Sequence, residues 1–393
     1  MYKIVYFCIP AYGHTNPTLE VVRELVSRGH EVRYYSYELF REAIEATGAK
    51  FISCDRFDAE LNLSKEDGAK IGKDLAFSTK VLVDTTLSLD DIVCKEVEYF
   101  QPDCIVADSM AVWGKAIAMK LGIPFISSTT TFAFNKDSAK VMKQSLADLL
   151  KMFIAMPKIQ KDIKRLQAKN YPIHSILDII QNDNDTNTIV YTSPEFQPYA
   201  ETFSDKYTFV GPVIRKSDMV YEKGKRKLIY ISLGTVNTVL MSFYKNCIKA
   251  FSDSEYDVLM SVGKDTDISK LGEVPENIAI EPFVDQIAVL KATDVFITHC
   301  GMNSVSEALY FGVPLVMFPQ TAEQGGVANR TEELGAGLFL KKNSTEKIRY
   351  AVNEVLSDTA YKKNAEIIAE GFHRCGGARK AADAILELIA KKD

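Results

Sequence analysis

Short apolar segments alternate with helical patterns twice along this chain. In the first half the segments are KIVYFCI at 3–9, HEVRYYS at 30–36 and CIVADS at 104–109. The second half contains KLIYISLG at 227–234, DVLMSVG at 257–263, NIAIEPFV at 277–284, DVFITHC at 294–300 and PLVMFPQ at 314–320. Continuous apolar segments are typical of strands buried on both faces, and strands that alternate with helices predict a parallel sheet. The sequence therefore predicts an α/β protein with two doubly wound, Rossmann-like parallel-sheet domains that face each other across a cleft.

The length and one polar stretch predict where the domains divide. A chain of 393 residues exceeds what one hydrophobic core usually organises. Residues 208–227 are polar, lack periodicity and contain Gly211-Pro212, which is typical of a linker. We predict an N-terminal domain at 1–210, a linker at 211–226, a C-terminal domain at 227–370, and a C-terminal helix at 371–393 that packs back toward the N-terminal domain.

Composition excludes several classes of protein. The net charge of -5 argues against a nucleic-acid-binding protein, and the balance of 47% hydrophobic and 25% charged residues is that of a globular protein. The seven cysteines form no CxxC motif, so we expect reduced thiols. Pro10 interrupts the first apolar segment too early for a signal peptide, and no segment reaches the ~20 apolar residues of a transmembrane span. We expect a soluble cytoplasmic protein.

Three common ligand motifs are absent. The turn PAYGHTNP after the first strand and the turn SLGTVNT after the first strand of the second half do not match GxGxxG. GxxxxGK[ST] and GxSxG are also missing, which argues against a P-loop NTPase and an α/β-hydrolase.

Polar residues collect instead where strands end, which is where α/β sheets bind ligands. His14 follows the first strand, Asp108 ends CIVADS, and Ser232 to Thr235 follow KLIYI. After DVFIT, Gly301 precedes a helical pattern whose N-terminal N–H groups could hold a pyrophosphate. Each feature also has an ordinary structural interpretation: His14 as a turn residue, Asp108 as a helix cap, His299 as a loop-shaping residue and Glu307 as a solvated helix residue.

The stretch THCGMNSVSEAL, followed by GVPLVMFP and a Glu-Gln pair, resembles the nucleotide-sugar signature of the family 1 glycosyltransferases, inverting enzymes of the GT-B fold. With GHTNPTLE near the start and EPFVDQIAVL before the signature, the chain is similar to the bacterial macrolide-type branch. The resemblance implies an acceptor-binding N-terminal domain, a nucleotide-sugar-binding C-terminal domain, and UDP-glucose or a related UDP-hexose as co-substrate. It implies no cofactor and no metal.

The resemblance also assigns roles to individual residues. His14 would be the base that removes the acceptor proton, and Asp108 its carboxylate partner. Histidine suits this task because its pKa lies near neutrality, and a carboxylate behind it fixes the tautomer. The nucleotide-sugar-binding residues would be Ser232, Gly234, Thr235, Phe283, Val284, Gln286, His299, Gly301, Met302, Asn303, Ser304, Glu307, Glu323 and Gln324. Of these, Phe283 would stack on the uracil, Glu307 would bind the ribose, and the Glu-Gln pair would hold the sugar.

The acceptor is the less defined substrate. Segment 136–169 carries nine Lys or Arg and three Asp together with an apolar stripe at helical spacing, which fits core packing, an acceptor pocket or an anionic membrane surface. The candidate acceptor-binding residues are Trp113, Phe132, Phe134, Met142, Leu146, Leu149 and Phe153. We predict an apolar acceptor such as a macrolide, flavonoid or other phenolic, with only weak membrane-surface contact.

Alternatives remain for metal binding and for the function. Asp183 and Asp185 match the DxD motif of metal-dependent glycosyltransferases, but they lie in the polar loop QNDNDTNT before a strand, so we expect no metal there. The predicted function is transfer of a hexose from a UDP-sugar to a hydroxyl group. The alternatives are a lipid or sterol glycosyltransferase, a UDP-sugar epimerase, and a non-catalytic sugar-nucleotide-binding protein, which would not need His14 with Asp108.

Overall fold

A computed structural model describes residues 1–55, 74–135, 146–175, 178, 182, 184–234 and 240–391. The chain divides into two compact units. Unit 1 contains Met1–Tyr191, Gln197–Val213 and Gly376–Asp393, and unit 2 contains Thr192–Phe196 and Ile214–Cys375. Each unit is built on one parallel sheet, so the predicted α/β class with two doubly wound domains is confirmed.

Unit 1 contains a seven-stranded parallel sheet in the order β3-β2-β1-β4-β5-β6-β7. The strands are β1 (Lys3–Phe7), β2 (Glu31–Ser36), β3 (Lys50–Ser53), β4 (Cys104–Asp108), β5 (Phe125–Thr129), β6 (Thr188–Val190) and β7 (Tyr207–Phe209). The central strands β1 and β4 are almost wholly buried, as expected for a sheet covered on both faces.

The described helices of unit 1 are α1 (Tyr12–Ser27), α2 (Arg41–Glu45), α3 (Leu75–Leu89), α4 (Lys95–Phe100), α5 (Val112–Leu121), α6 (Leu146–Gln167) and α13 (Gly377–Ala390). A π-helical turn, Asp90–Cys94, joins α3 to α4. The last helix, α13, buries Ile385 and Ile389 in the same apolar cluster as Val21 and Leu25 of α1. The end of the chain therefore completes the core of unit 1.

Unit 2 contains a six-stranded parallel sheet in the order β10-β9-β8-β11-β12-β13. Its strands are β8 (Leu228–Ser232), β9 (Asp257–Ser261), β10 (Ile278–Glu281), β11 (Val295–Thr298), β12 (Leu315–Met317) and β13 (Gly337–Phe339). Its described helices are α7 (Met241–Phe251), α8 (Gln286–Leu290), α9 (Met302–Tyr310), α10 (Ala322–Glu333), α11 (Thr345–Ser357) and α12 (Thr359–Arg374).

Both sheets reverse their strand order at the centre. In unit 1 the chain builds outward from β1 in one direction and then from β4 in the other, and in unit 2 the same reversal separates β8 from β11. At such a switch point the loops that follow the two central strands diverge and leave a crevice, which is where open α/β sheets bind ligands. The fold thus singles out one strand-end region in each unit.

The structure differs from the predicted boundaries in three places. Residues 207–209, at the edge of the stretch interpreted as a linker, form β7, which pairs with β6. Thr192–Phe196 belongs to unit 2 although it lies within the range predicted for the N-terminal domain. Helix α12 continues to Arg374, and the break before the last helix falls at Cys375 and Gly376, where Gly376 adopts a positive φ of 91°. The short strand β13 was not predicted, because its three residues are too few for a pattern.

No helix among the described residues is long and apolar enough to cross a membrane. All seven cysteines are buried.

Candidate functional site

The switch point of unit 1 brings His14 and Asp108 together. Asp108 is the buried last residue of β4, and His14 lies in the first turn of α1, which follows the neighbouring strand β1. Nδ1 of His14 is 2.7 Å from Oδ2 of Asp108. The other carboxylate oxygen accepts a hydrogen bond from the backbone N–H of Met110 at 2.8 Å, so Asp108 is fixed on both sides. It does not cap α5, whose N-cap is Ala111.

This contact defines which nitrogen of His14 can act as a base. An ionised carboxylate only accepts, so Nδ1 of the neutral imidazole carries the proton and Nε2 carries the lone pair. The hydroxyl of Thr130, just after β5, lies 3.1 Å from the same Nδ1. Thr130 was not predicted, although the polar run at the end of FISSTT is the signal that could have identified it.

The sequence placed His14 in a turn ahead of the first helix, and this is wrong in detail. The helix begins at Tyr12 and includes Pro17, so His14 is carried on a regular helical turn. A helical position fixes the direction of the Cα–Cβ bond more tightly than an irregular turn does.

The switch point of unit 2 is formed by the loops after β8 and β11. Ser232 ends β8, and Gly234 follows with a φ of 78°. After β11, Cys300 adopts a φ of 68°, an uncommon conformation for a residue other than glycine, and Gly301 is the N-cap of α9. The chain therefore turns sharply into α9. Met302, Asn303 and Ser304 form its first turn, with Met302 buried.

The imidazole of His299 lies between two glycines. A Cβ atom at Gly234 would stand 2.6 Å from its Cε1, and a Cβ atom at Gly301 would stand 2.7 Å from its Nε2. Burial lowers the pKa of His299 to about 4, opposed in part by the backbone of Ser232. At neutral pH this side chain is uncharged.

Glu307, one turn into α9, is held by Gln286. Nε2 of Gln286 donates to Oε2 of Glu307 at 2.7 Å and to Oγ of Ser304 at 3.3 Å. Burial raises the pKa of Glu307, and the hydrogen bond from Gln286 opposes this rise. The carboxamide oxygen of Gln286 accepts from the hydroxyl of Tyr230 at 3.1 Å. Tyr230 was not predicted, because a tyrosine within an apolar strand gives no signal for function.

Phe283 and Val284 precede this network in the loop between β10 and α8. The ring of Phe283 is 69% exposed. The next residue, Asp285, caps α8 by accepting from the N–H of Ala288 at 3.1 Å. Both of its carboxylate oxygens also bind Arg215, at 2.7 and 3.0 Å. The loop that presents Phe283 is thus fixed at its C-terminal end.

Glu323 and Gln324 occupy the first turn of α10, capped by Thr321, and not the strand end where the sequence placed them. Glu323 is exposed, whereas Gln324 is buried and its Oε1 accepts from the N–H of Gln320 at 2.8 Å. The two side chains therefore have different surroundings.

The remaining candidates divide into three groups. Trp113 and Phe132 are buried, whereas Phe134 is 53% exposed. Thr235, Met142 and Asp183 lie outside the described residues, and the same holds for the side chains of Leu146, Leu149 and Phe153. Asp185 lies in a turn before β6. Within the described ranges, no group of three or more His, Cys, Asp or Glu residues could hold a metal ion.

Known proteins are similar to this chain in sequence and in fold. A family model described as "Erythromycin biosynthesis protein CIII-like, C-terminal domain" matches residues 247–374. The chain is 34% identical to the NDP-glycosyltransferase YjiC of Bacillus subtilis (strain 168), over 100% of this chain and 98% of that protein. It is 32% identical to the uncharacterized UDP-glucosyltransferase YojK of the same organism, with the same coverage. A crystal structure of the glycotransferase of kitacinnamycin is 26% identical, with a TM-score of 0.85 and 98% of each chain covered.

Two Rossmann-like units, one with a His–Asp pair and one with a glycine-lined loop before a helix, together with these relatives, define a glycosyltransferase of the GT-B fold. The chain belongs to the family 1 glycosyltransferases, in their bacterial macrolide-type branch. The UDP-sugar epimerase considered from the sequence is therefore not retained.

Proposed function

We propose that the protein transfers a hexose, glucose by preference, from a UDP-sugar to a hydroxyl group of an apolar small molecule, with inversion at the anomeric carbon. The observation that carries this proposal is the contact between His14 and buried Asp108 at the switch point of unit 1. Hydrogen-bonded carboxylate–imidazole pairs of this kind serve as general bases.

The reaction follows from this pair. Nε2 of His14 takes the proton from the acceptor hydroxyl, and the acceptor oxygen forms a bond to the anomeric carbon. The bond from that carbon to the UDP oxygen breaks, and its electron pair leaves with UDP. Asp108 stabilises the imidazolium that results. A single displacement of this kind inverts the configuration.

Unit 2 would bind the donor. The N–H groups at the N-terminus of α9 and neutral His299 would contact the diphosphate, whose developing charge the helix dipole stabilises. Ser232, at the end of β8, would add a further donor, and we propose Thr235 as a diphosphate ligand as well. The exposed ring of Phe283 would stack on the uracil. Because these groups supply the stabilisation, we propose that transfer needs no metal ion.

The ribose and the sugar would be bound by carboxylates and amides. Glu307 would accept from both ribose hydroxyls, so the protein should use UDP-glucose in preference to TDP-glucose, whose deoxyribose offers one donor fewer. Glu323 and Gln324 would bind sugar hydroxyls. The relative YojK is named a UDP-glucosyltransferase, which supports UDP and glucose together.

For the acceptor we propose an apolar hydroxylated natural product, such as a macrolide or phenolic. The relatives include a glycotransferase of kitacinnamycin, and the matching family model is named for erythromycin biosynthesis. The exposed ring of Phe134 would contribute to an apolar site.

A lipid or sterol acceptor is the second candidate, and one observation favours it. The exposed face of α6 carries Lys158, Lys161 and Lys164 beside exposed Ile154 and Met156. Basic and apolar side chains together suit an anionic lipid surface.

The experiment is a transfer assay with UDP-glucose and TDP-glucose against a panel of macrolides, flavonoids, sterols and small polar sugars, with products identified by mass spectrometry. The proposal predicts β-linked glucosides of several apolar acceptors, faster transfer from UDP-glucose, and little effect of EDTA. Products confined to sterols would favour the second candidate. Transfer to polar sugars alone would contradict both proposed acceptor classes. Inhibition by EDTA that Mg²⁺ reverses would contradict the metal-free mechanism and would favour metal binding at Asp183 and Asp185.

A further inference from the structure

Tyr230 is a buried polar residue for which the proposed reaction has no direct use. It lies in the middle of β8, is 1% exposed, and stacks on Phe296 of the neighbouring strand β11 with ring centroids 4.7 Å apart. A phenylalanine would satisfy this packing equally well, as Phe296 itself shows. The hydroxyl is therefore the feature that needs an explanation.

The hydroxyl contacts the carboxamide that holds Glu307. It donates to Oε1 of Gln286 at 3.1 Å, while Nε2 of the same carboxamide donates to Glu307 at 2.7 Å and to Ser304 at 3.3 Å. A carboxamide can rotate by half a turn and exchange its donor and acceptor ends. Only one orientation is compatible with a carboxylate at Glu307, since the other would bring oxygen against oxygen.

We propose that Tyr230 is a positioning residue for ribose recognition: its hydroxyl anchors the carboxamide of Gln286, which in turn holds Glu307 where its carboxylate meets the ribose hydroxyls. This inference rests on the proposed role of Glu307 as the ribose ligand. It adds a specificity determinant that lies in the strand below the site and does not touch the nucleotide.

The charge around Glu307 gives the proposal a pH-dependent consequence. Burial and the charge of Asp285 raise the pKa of Glu307, burial having the larger effect. The hydrogen bond from Gln286 and the charge of Arg215 lower it. Weakening the hold of Gln286 therefore raises the pKa of Glu307 further. The carboxylate then becomes protonated at a higher pH, and the charge-assisted bonds to the ribose are lost earlier as the pH falls.

The test compares the full-length wild type with Tyr230→Phe. Calorimetric titration measures the binding of UDP and of 2′-deoxy-UDP between about pH 5 and 8. Tyr230→Phe is expected to weaken UDP binding by about three- to tenfold, with a smaller loss for 2′-deoxy-UDP, so that the preference for the ribonucleotide shrinks. The acidic decline in UDP affinity should move to higher pH. The matched control is Tyr244→Phe in the same unit, because the buried Tyr244 hydroxyl has no hydrogen-bond partner among the described residues. That variant should bind both nucleotides as the wild type does.

A double variant separates positioning from packing. If Tyr230 acts through Gln286, Tyr230→Phe combined with Gln286→Leu should cost no more than Gln286→Leu alone. Equal weakening of both nucleotides, additive losses in the double variant, or an unchanged pH profile would overturn the inference.

Glu307→Ala distinguishes failure of this inference from failure of the proposed ribose site. If Glu307→Ala abolishes the preference for UDP over 2′-deoxy-UDP and Tyr230→Phe leaves it intact, Tyr230 has no positioning role and the ribose assignment stands. If Glu307→Ala leaves the preference intact, the ribose assignment itself is wrong.

Discussion

Two glycines make room for His299. A methyl group at either Gly234 or Gly301 would overlap the imidazole, at 2.6 and 2.7 Å respectively. Gly234 also adopts a φ of 78°, whereas Gly301 has an ordinary φ of -59°. At Gly301, therefore, the close contact and not the backbone conformation requires glycine.

Gly301→Ala should displace His299 and weaken UDP binding by about tenfold or more, since the ring must leave its place beside the diphosphate site. The matched control is Gly326→Ala in α10, where nothing lies within 4 Å of the added methyl group. The control should keep its UDP affinity and gain up to about 1 kcal/mol of stability, because alanine favours a helix over glycine. Calorimetric titration with UDP and urea unfolding measure both effects. Equal UDP affinity in the two variants would show that UDP binding does not require His299 to lie between Gly234 and Gly301.

At the scale of residues, the sequence was informative wherever a polar side chain follows a buried strand. The strand-end positions placed His14 and Asp108 at the ligand-binding edge of the sheet, and the family resemblance paired them. Tyr230 could not be identified in this way. Its proposed role depends on the hydrogen bond from its hydroxyl to Gln286. A periodic pattern of apolar residues treats tyrosine as apolar and does not reveal such a bond.

At the scale of elements, the linker stabilises the loop that presents Phe283. Arg215 binds both carboxylate oxygens of Asp285, and Ser217 donates to one of them at 2.9 Å. Burial raises the pKa of Asp285, but the hydrogen bonds from Arg215, from the Ala288 backbone and from Ser217 outweigh it, and the net shift is downward. The stabilisation is therefore complete above the ordinary aspartate pKa of ~4 and is lost as the pH falls through the lowered value.

Arg215→Gln should loosen this loop and reduce UDP affinity by about threefold to tenfold at pH 7, through a less ordered Phe283. Lys223→Gln is the control. Lys223 also lies in the stretch predicted as the linker, and it forms an ion pair with Asp294, which is outside this loop. Titration with UDP at pH 7 and near pH 4 (about where an aspartate is half protonated) provides the measurement. The difference between wild type and Arg215→Gln should persist at the lower pH, since the lowered pKa of Asp285 keeps its carboxylate largely ionised in the wild type. Equal losses in Arg215→Gln and Lys223→Gln would contradict a specific role for Arg215.

Element boundaries were less predictable than element types. The sequence predicted that the turn PAYGHTNP precedes the first helix, which placed the start of that helix after Pro17. The structure extends α1 back to Tyr12 and makes His14 helical. Likewise Glu323 and Gln324 follow a strand in the sequence, but capping by Thr321 places them in the first turn of α10.

At the scale of the whole molecule, the chain returns to its first unit after completing the second. The last helix, α13, belongs to unit 1, where Ile385 is fully buried beside α1 and Arg28 pairs with Asp383. The stability of the N-terminal core therefore depends on residues near the C-terminus.

Ile385→Ala should destabilise unit 1 by about 2–4 kcal/mol, because it leaves a cavity in a packed core. Ile367→Ala in α12 is the matched control, since that side chain is 54% exposed and its truncation should cost less than about 0.5 kcal/mol. Urea unfolding measures the loss. UDP affinity under native conditions should be unchanged in both, because the proposed nucleotide ligands lie in unit 2, and a large loss of UDP binding in Ile385→Ala would contradict this division.

The two-domain class could be derived from the sequence because the central strands of both sheets are continuous apolar segments and helical patterns separate them. The acceptor could not be derived to the same degree, since Trp113, the only tryptophan, is buried in the unit 1 core and Phe134 is exposed, although both are aromatic residues near strand ends. Whether an aromatic ring is buried depends on which residues distant in the sequence pack against it, and the local sequence pattern does not predict those contacts.

The most direct test of the account measures transfer and UDP binding in the same variant. His14→Ala should lower the rate of glucosyl transfer by about 10²–10⁴-fold while leaving UDP affinity unchanged, because the base lies in unit 1 and the proposed nucleotide ligands lie in unit 2. Asp108→Asn should lose less, since the base remains and only its orientation and charge stabilisation are impaired. Near-wild-type turnover by His14→Ala, with UDP binding intact, would contradict the proposed mechanism.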